Sequence, residues 1–153
     1  MADKLENIKA RAKKILTDSN GSHDWEHTQR VYKMAKHIAK VEGANPVVVK
    51  IAALLHDIGR SYEDKAEGKI CHATKGAEIA KKFLTQEKFS ESKIKQIVHC
   101  IKAHRFRNKR VPQTEEAKVL FDADKLDSIG AVGIGRAFLF AGEVGARLHN
   151  SDM

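Results

Sequence analysis

Pro46-Val-Val-Val-Lys50-Ile-Ala-Ala-Leu-Leu-His56-Asp57-Ile-Gly59 is the stretch on which the fold turns. Its apolar residues leave almost no polar face, which predicts a helix buried nearly all round and running to about Ile58. Pro46 suits the first helical position, where its missing N–H would be unbonded anyway. A helix of this kind needs other helices packed about it, and 3.6-residue spacing recurs on both sides. A first helix is expected over about Asp3–Thr17, with Leu5, Ile8, Ala12, Ile15 and Leu16 on one face and Asn20-Gly21 as its stop. A second, about Asp24–Glu42, carries Val31, Met34, Ala35, Ile38 and Val41.

Beyond Gly59, a polar loop containing Asp64 and Gly68 leads to a fourth helix over about His72–Thr85 and a fifth over about Ser90–His104. The basic run Arg105-Phe-Arg-Asn-Lys-Arg110 and Pro112 precede Thr114-Glu115-Glu116, a helix start with acids in its first turn. The sixth helix is expected to carry Asp122, Asp124 and Asp127. A Gly-rich seventh runs over about Ala131–Leu148. Strict alternation of the strand type is not found, so the class is all-α with about six to seven helices.

The 153 residues fit one domain, 1–153. No apolar run reaches the roughly 20 residues of a membrane span, and the N-terminus has no signal-type apolar core, so a cytoplasmic protein is expected. Cys71 and Cys100 lack paired spacing and are read as ordinary thiols. Twenty-eight basic residues against 20 acidic ones give a charge of +8. That field concentrates anions, nucleotides and nucleic acid alike, without choosing between them.

The eight histidines separate by helical face. His37 and His99 fall among lysines and are expected in solvent, and His149 lies in the tail. His27 precedes Val31, Met34, Ile38 and Val41 at steps of four and three, so it points inward. His56-Asp57 follows the most apolar segment of the chain, where a carboxylate is penalised unless a cation compensates it. His72 leads the line Gly76, Ile79, Phe83; His104 ends the line Ile94, Ile97, Ile101; Asp124 lies four residues after Leu120. Imidazole with carboxylate suits Mn, Fe, Co, Ni, Zn or Mg, and the lack of an inward cysteine cluster argues against a structural zinc. Gly59 ends the helix, so that the adjacent His56 and Asp57 can both turn toward one ion.

His27, then His56-Asp57, then Ala123-Asp124, in that order on successive helices, resemble the HD-domain superfamily. Three motifs strengthen the likeness: Ser22-His-Asp-Trp-Glu-His27-Thr-Gln-Arg-Val31, Ala53-Leu-Leu-His-Asp-Ile-Gly59, and Asp122-Ala-Asp-Lys-Leu-Asp-Ser-Ile-Gly-Ala131. They look like the small stand-alone HD hydrolases, some of which cleave nucleoside phosphates or pyrophosphates. The resemblance implies a helical HD bundle and one divalent metal on His27, His56, Asp57 and Asp124. A second metal, through His72 and His104, is left open. Longer relatives continue through further helices, whereas this sequence stops soon after Arg147-Leu-His149, which leaves the completeness of the pocket and a homo-oligomer open.

The expected reaction is phosphohydrolysis by metal-activated water on a small phosphorylated substrate, a nucleotide. Lys125, Arg30 and the Arg105–Arg110 loop are candidates to neutralise phosphoryl charge, Asp57 or Asp127 to relay protons, and His23 or Glu26 to orient the ligands. Gly133-Ile-Gly135-Arg136 follows no strand and lacks GK[ST], so its glycines are read as close helix packing. Two other classes compete. A basic nucleic-acid-binding module would use Arg105, Arg107, Lys109 and Arg110 around Phe106 but has no need of inward histidines. A di-metal oxygenase on the same scaffold would consume oxygen.

Overall fold

The computed structural model describes residues 2–17, 23–105 and 110–147. Among the described residues eight helices follow one another: α1 (Ala2–Thr17), α2 (Trp25–Val41), α3 (Pro46–Leu55), α4 (Arg60–Lys65), α5 (His72–Gln86), α6 (Glu91–Ala103), α7 (Glu115–Leu126) and α8 (Gly130–Glu143). There is no strand among the described residues, so the all-α expectation holds. None of the helices is long and apolar enough to cross a membrane. The Asn20-Gly21 stop, residues 106–109 of the basic run, and His149 lie outside the described residues.

α3 is the axis of the bundle, touching α1, α2, α5, α6 and α7. Seven of its ten residues are buried, from Val48 to Leu55. Asn45 caps it, its Oδ1 accepting from Val47 N and Val48 N at 3.0 and 3.4 Å, with Pro46 just inside. The helix stops at Leu55, three residues short of the expected Ile58. His56–Gly59 form a turn, where Arg60 N donates to Asp57 O at 2.9 Å. That turn frees consecutive residues from the 100° divergence of a regular helix.

Four details differ from the sequence reading. The loop after Gly59 holds a short helix, α4, whose six residues follow directly on the turn. On α2 the buried line is Val31, Ala35 and Ala39, while Val41 is exposed because the helix ends there with Glu42 as its cap. His99 is half-buried and its Nε2 accepts from Gln113 N at 3.2 Å, so it is not simply solvated. The last helix ends at Glu143, before Leu148.

α5 is held against the α3 terminus at a pair of glycines. A Cβ on Gly59 would lie 2.3 Å from His72 O and 2.5 Å from Gly76 N, so only glycine permits this approach. Asp24 caps α2 through His27 N at 2.8 Å, Ser90 caps α6, and Thr114 caps α7. α8 is different. It buries only Gly133, which sits on the Ser128 backbone, and it presents Ile134, Phe138, Leu139 and Phe140 outward.

Candidate metal centre

Five segments bring their inward residues to one place: the start of α2 (His27), the turn after α3 (His56, Asp57), the start of α5 (His72), the end of α6 (His104) and the last turn of α7 (Asp124). The five residues other than Asp124 are at most 2% exposed. His27, His56 and Asp124 form one group whose ligand atoms could hold an ion; Asp57, His72 and His104 form another.

Asp57 joins the two groups. Its Oδ2 lies 3.7 Å from His27 Nε2 and 3.6 Å from His56 Nε2, while its Oδ1 lies 3.3 Å from His72 Nε2 and 3.6 Å from His104 Nε2. Asp124 Oδ1 completes the first side, 3.4 Å from His27 Nε2 and 3.9 Å from His56 Nε2.

The other nitrogen of each ring settles which atom faces the centre. His56 Nδ1 lies 2.8 Å from Ala53 O, and His104 Nδ1 lies 2.6 Å from Ile101 O. A carbonyl can only accept, so Nδ1 carries the proton and Nε2 is bare. Both residues stand at helix C-caps, where that bond satisfies a carbonyl of the last turn. His27 Nδ1 meets Asp127 Oδ2 at 2.7 Å, and His72 Nδ1 meets Glu63 Oε2. Two carboxylates thus do for these rings what carbonyls do for the others.

Bare nitrogens then face each other at 3.3 Å between His27 and His56, and at 3.2 Å between His72 and His104. Facing lone pairs repel, and a carboxylate oxygen beside each pair adds negative charge. Asp57 Oδ1 is buried and has no hydrogen-bond partner among the described residues. An orphaned carboxylate oxygen among unprotonated imidazoles is costly unless a cation lies between them. The donor set therefore fits divalent metal on both sides of Asp57.

Protonation follows the same field. Burial works against the charged form of Asp57, but Arg60, His56 and the other histidines outweigh it and hold the carboxyl well below its usual range. Asp124 is lowered likewise, burial being overcome by His27 and its neighbours. Burial drives His56 and His72 down to about 4, so both are neutral near pH 7. His27 alone of these is raised. Burial disfavours its charge, yet Asp124 and Asp127 on its two nitrogens overcome that, so the position attracts a cation of either kind, proton or metal.

The other sequence candidates take these places. Asp127 is the acceptor for His27 and is clamped by Arg30 at 2.7 and 3.1 Å and by Arg136 at 2.9 Å. Arg30 is thereby engaged with a carboxylate. Lys125 Nζ reaches Asp124 Oδ2 at 2.5 Å and His104 O at 3.2 Å, at the rim of the centre. His23 packs edge-on to His27, with ring centroids 5.7 Å apart, whereas Glu26 is exposed and its carboxylate accepts from Gln29. Arg105 Nη1 pairs with Glu63 at 2.8 and 2.9 Å, and Arg110 donates to Thr74 Oγ1 at 3.0 Å.

Glu63, Arg60 and Arg136 were not singled out as site residues in the sequence. Glu63 takes His72 Nδ1, the His72 backbone N at 2.9 Å, and Arg105, so one carboxylate caps α5 and orients a ring. An acid nine residues ahead of an inward histidine at a helix start is the one available signal. Arg60, Arg105, Lys125 and Arg136 line a cavity of about 340 Å³ over the centre.

Residues 24–129 match the HD domain family model. Uncharacterized protein YpgQ of Bacillus subtilis is 34% identical over 151 residues, covering 96% of this chain and 71% of that one. Ribonuclease Y of Chloroflexus aurantiacus is 36% identical over 108 residues, 71% of this chain but 19% of that protein. Among solved structures, a predicted HD superfamily hydrolase from an uncultured Thermotogales bacterium superposes with TM-score 0.76 at 37% identity, covering 89% of this chain and 75% of the other. Bacillus subtilis YpgQ in complex with ADP superposes with TM-score 0.74 at 31% identity, covering 97% and 73%.

Proposed function

The chain belongs to the HD domain family, whose members here include HD-superfamily hydrolases, and from that premise we propose a phosphohydrolase with two divalent metals that acts on a small nucleotide. His27, His56, Asp124 and Asp57 Oδ2 would hold one ion; Asp57 Oδ1, His72 and His104 would hold the other. The observation that carries the reading is Asp57, one buried carboxylate between two pairs of bare imidazole nitrogens, with Oδ1 unpartnered. The ADP complex of YpgQ supports a nucleotide as the substrate class.

Divalent metal held by these residues would supply Lewis acidity and a more acidic bound water. The chain's own residues do the rest. Lys125, Arg60, Arg105 and Arg136 face the same cavity and neutralise the charge that grows on the transferred group. Asp127 and Glu63 fix the orientation of His27 and His72, so the ligands are set before substrate arrives. Burial lowers His23 to about 3, which leaves a neutral imidazole at the cavity wall as a hydrogen-bonding group rather than an acid.

The test strips metal from the protein, restores Mn, Mg, Co, Ni, Fe or Zn, and screens nucleoside mono-, di- and triphosphates with products identified as phosphate or pyrophosphate. Two metals per chain, hydrolysis of at least one nucleotide, and loss of metal in His56→Ala are expected. If no ester is cleaved with any metal, and His56→Ala keeps its metal content, the reading is wrong.

A further inference from the structure

Large apolar side chains stand open around α8. Ile134, Phe138 and Leu139 are 60, 57 and 47% exposed, and Ile129 and Val132, just before them, are 64 and 49% exposed. Ile134 and Phe138 lie one turn apart on one side of the helix and form a ridge with Leu139. α8 holds only two charged residues: Arg136 is turned back to Asp127 at 2.9 Å, and Glu143 ends the helix. A groove of about 430 Å³ opens beside it, lined by Ile38, Phe121, Leu126 and Ile129, with Asp122 and Lys125 as its charged members. Ile129 is the N-cap of α8, so the ridge starts where the groove ends.

We propose that the α8 ridge of one chain seats in the groove of a second copy, whose ridge seats in the groove of the first, in a two-fold symmetric pair. Each chain carries both halves of the contact, which is what such a pairing requires. Charge favours this face over the others. Each chain carries +8, and α1, α2, α5 and α6 each show two or more exposed lysines, such as Lys33, Lys36 and Lys40 on α2. Two surfaces of that kind repel. α8 has no lysine, and the one lysine of the groove, Lys125, is paired with Asp124 at 2.5 Å. Area agrees. At roughly 200 Å² for a whole large side chain, Ile129, Val132, Ile134, Phe138, Leu139 and the 43% exposed Leu126 present roughly 600 Å², close to the about 800 Å² that each partner gives to a standard interface. Within its own chain α8 buries only Gly133, and a partner's groove covers the side left open. Repulsion between the chains offsets part of the gain, so pairing is expected at about 1–100 µM, with α8 uncovered below that range. The pairing is independent of the phosphohydrolase reading.

Sedimentation velocity of the full chain from about 1 to about 200 µM tests the pairing. A shift from one chain to two is expected across that range. Phe138→Glu on the ridge and Ile129→Lys in the groove are each expected to weaken association about tenfold or more. Both sites are more than half exposed, so neither substitution enters the core, and circular dichroism checks that the variants fold. Should either not fold, Leu139→Glu or Leu126→Lys replaces it. Mixed in equal amounts, the two variants are expected to pair again, because the altered ridge meets the altered groove with opposite charge while the unaltered ridge meets the unaltered groove. A single chain at every concentration overturns the proposal, as does a pair unmoved by both variants. Variants that stay apart when mixed overturn the seating of ridge in groove. If the single chain instead pellets with phosphatidylcholine vesicles, the face belongs to a lipid surface and the pairing is overturned.

Discussion

Asp127 shows how much one carboxylate does at the candidate metal centre. Its oxygens take His27 Nδ1, Arg30 and Arg136, so it fixes the tautomer of a ligand, and through Arg136 it ties α8 to α7. Burial opposes its charge, but the hydrogen bonds from His27 and Arg30 bring it down to about 2, so it is ionised throughout the neutral range. Asp127→Asn keeps an oxygen for His27 while removing the charge that matches two guanidiniums. Outer partners of this kind typically contribute about 10- to 100-fold in metal affinity. A loss in that range is expected for the variant, measured by competition with a chelator, with the fold retained by circular dichroism. Unchanged affinity would mean that Asp127 positions nothing. Asp127 was legible in the sequence as a candidate, but its role was not, because its partners lie 100 and 97 residues away. Helical spacing reports which face a residue is on, and it is silent about which distant side chain it meets.

At the scale of elements, inward histidines and the apolar run ending at His56-Asp57 could be read from periodicity, since each lies on or just beyond a helix with one buried face. α4 could not: six residues are too few for a pattern, and its fold depends on the turn at Gly59 and on Glu63 reaching α5. Arg60 and Arg136 were hidden for a similar reason, as they become site residues only when α4 and α8 are placed. The Gly59–Gly76 contact makes a prediction about this join. A methyl at residue 59 would meet the backbone of His72 and Gly76 rather than a movable side chain. Gly59→Ala is therefore expected to cost about 1–3 kcal/mol, as overpacking typically does. Because His72 rides on the displaced α5 and His27 does not, the metal proposed at His72 and His104 should be lost first. Urea unfolding and metal analysis read the two effects. Native stability with two metals retained would show that α5 tolerates the displacement.

Over the whole molecule, ligand groups arrive from α2, α5, α6, α7 and the turn after α3, and four of these units contact α3 directly. The proposed metal pair at Asp57 would therefore link the core from its centre, whereas α8 lies outside that linkage with one buried residue. An ion that binds the folded chain alone stabilises it by mass action, about 2.7 kcal/mol at 100 times its dissociation constant, or about 100-fold in the population of globally unfolded chains. Amides in α3 exchange hydrogen only when the core opens, so metal loading should slow them by about that factor. Those in α8 are expected to exchange through local opening that leaves the centre intact, faster than α3 to begin with and nearly insensitive to metal. Hydrogen exchange of chelated and reloaded protein, resolved by peptide, separates the two behaviours. Equal slowing in α3 and α8 would place α8 inside the cooperative core, and its exposed Ile134, Phe138 and Leu139 would then need a covering surface in solution.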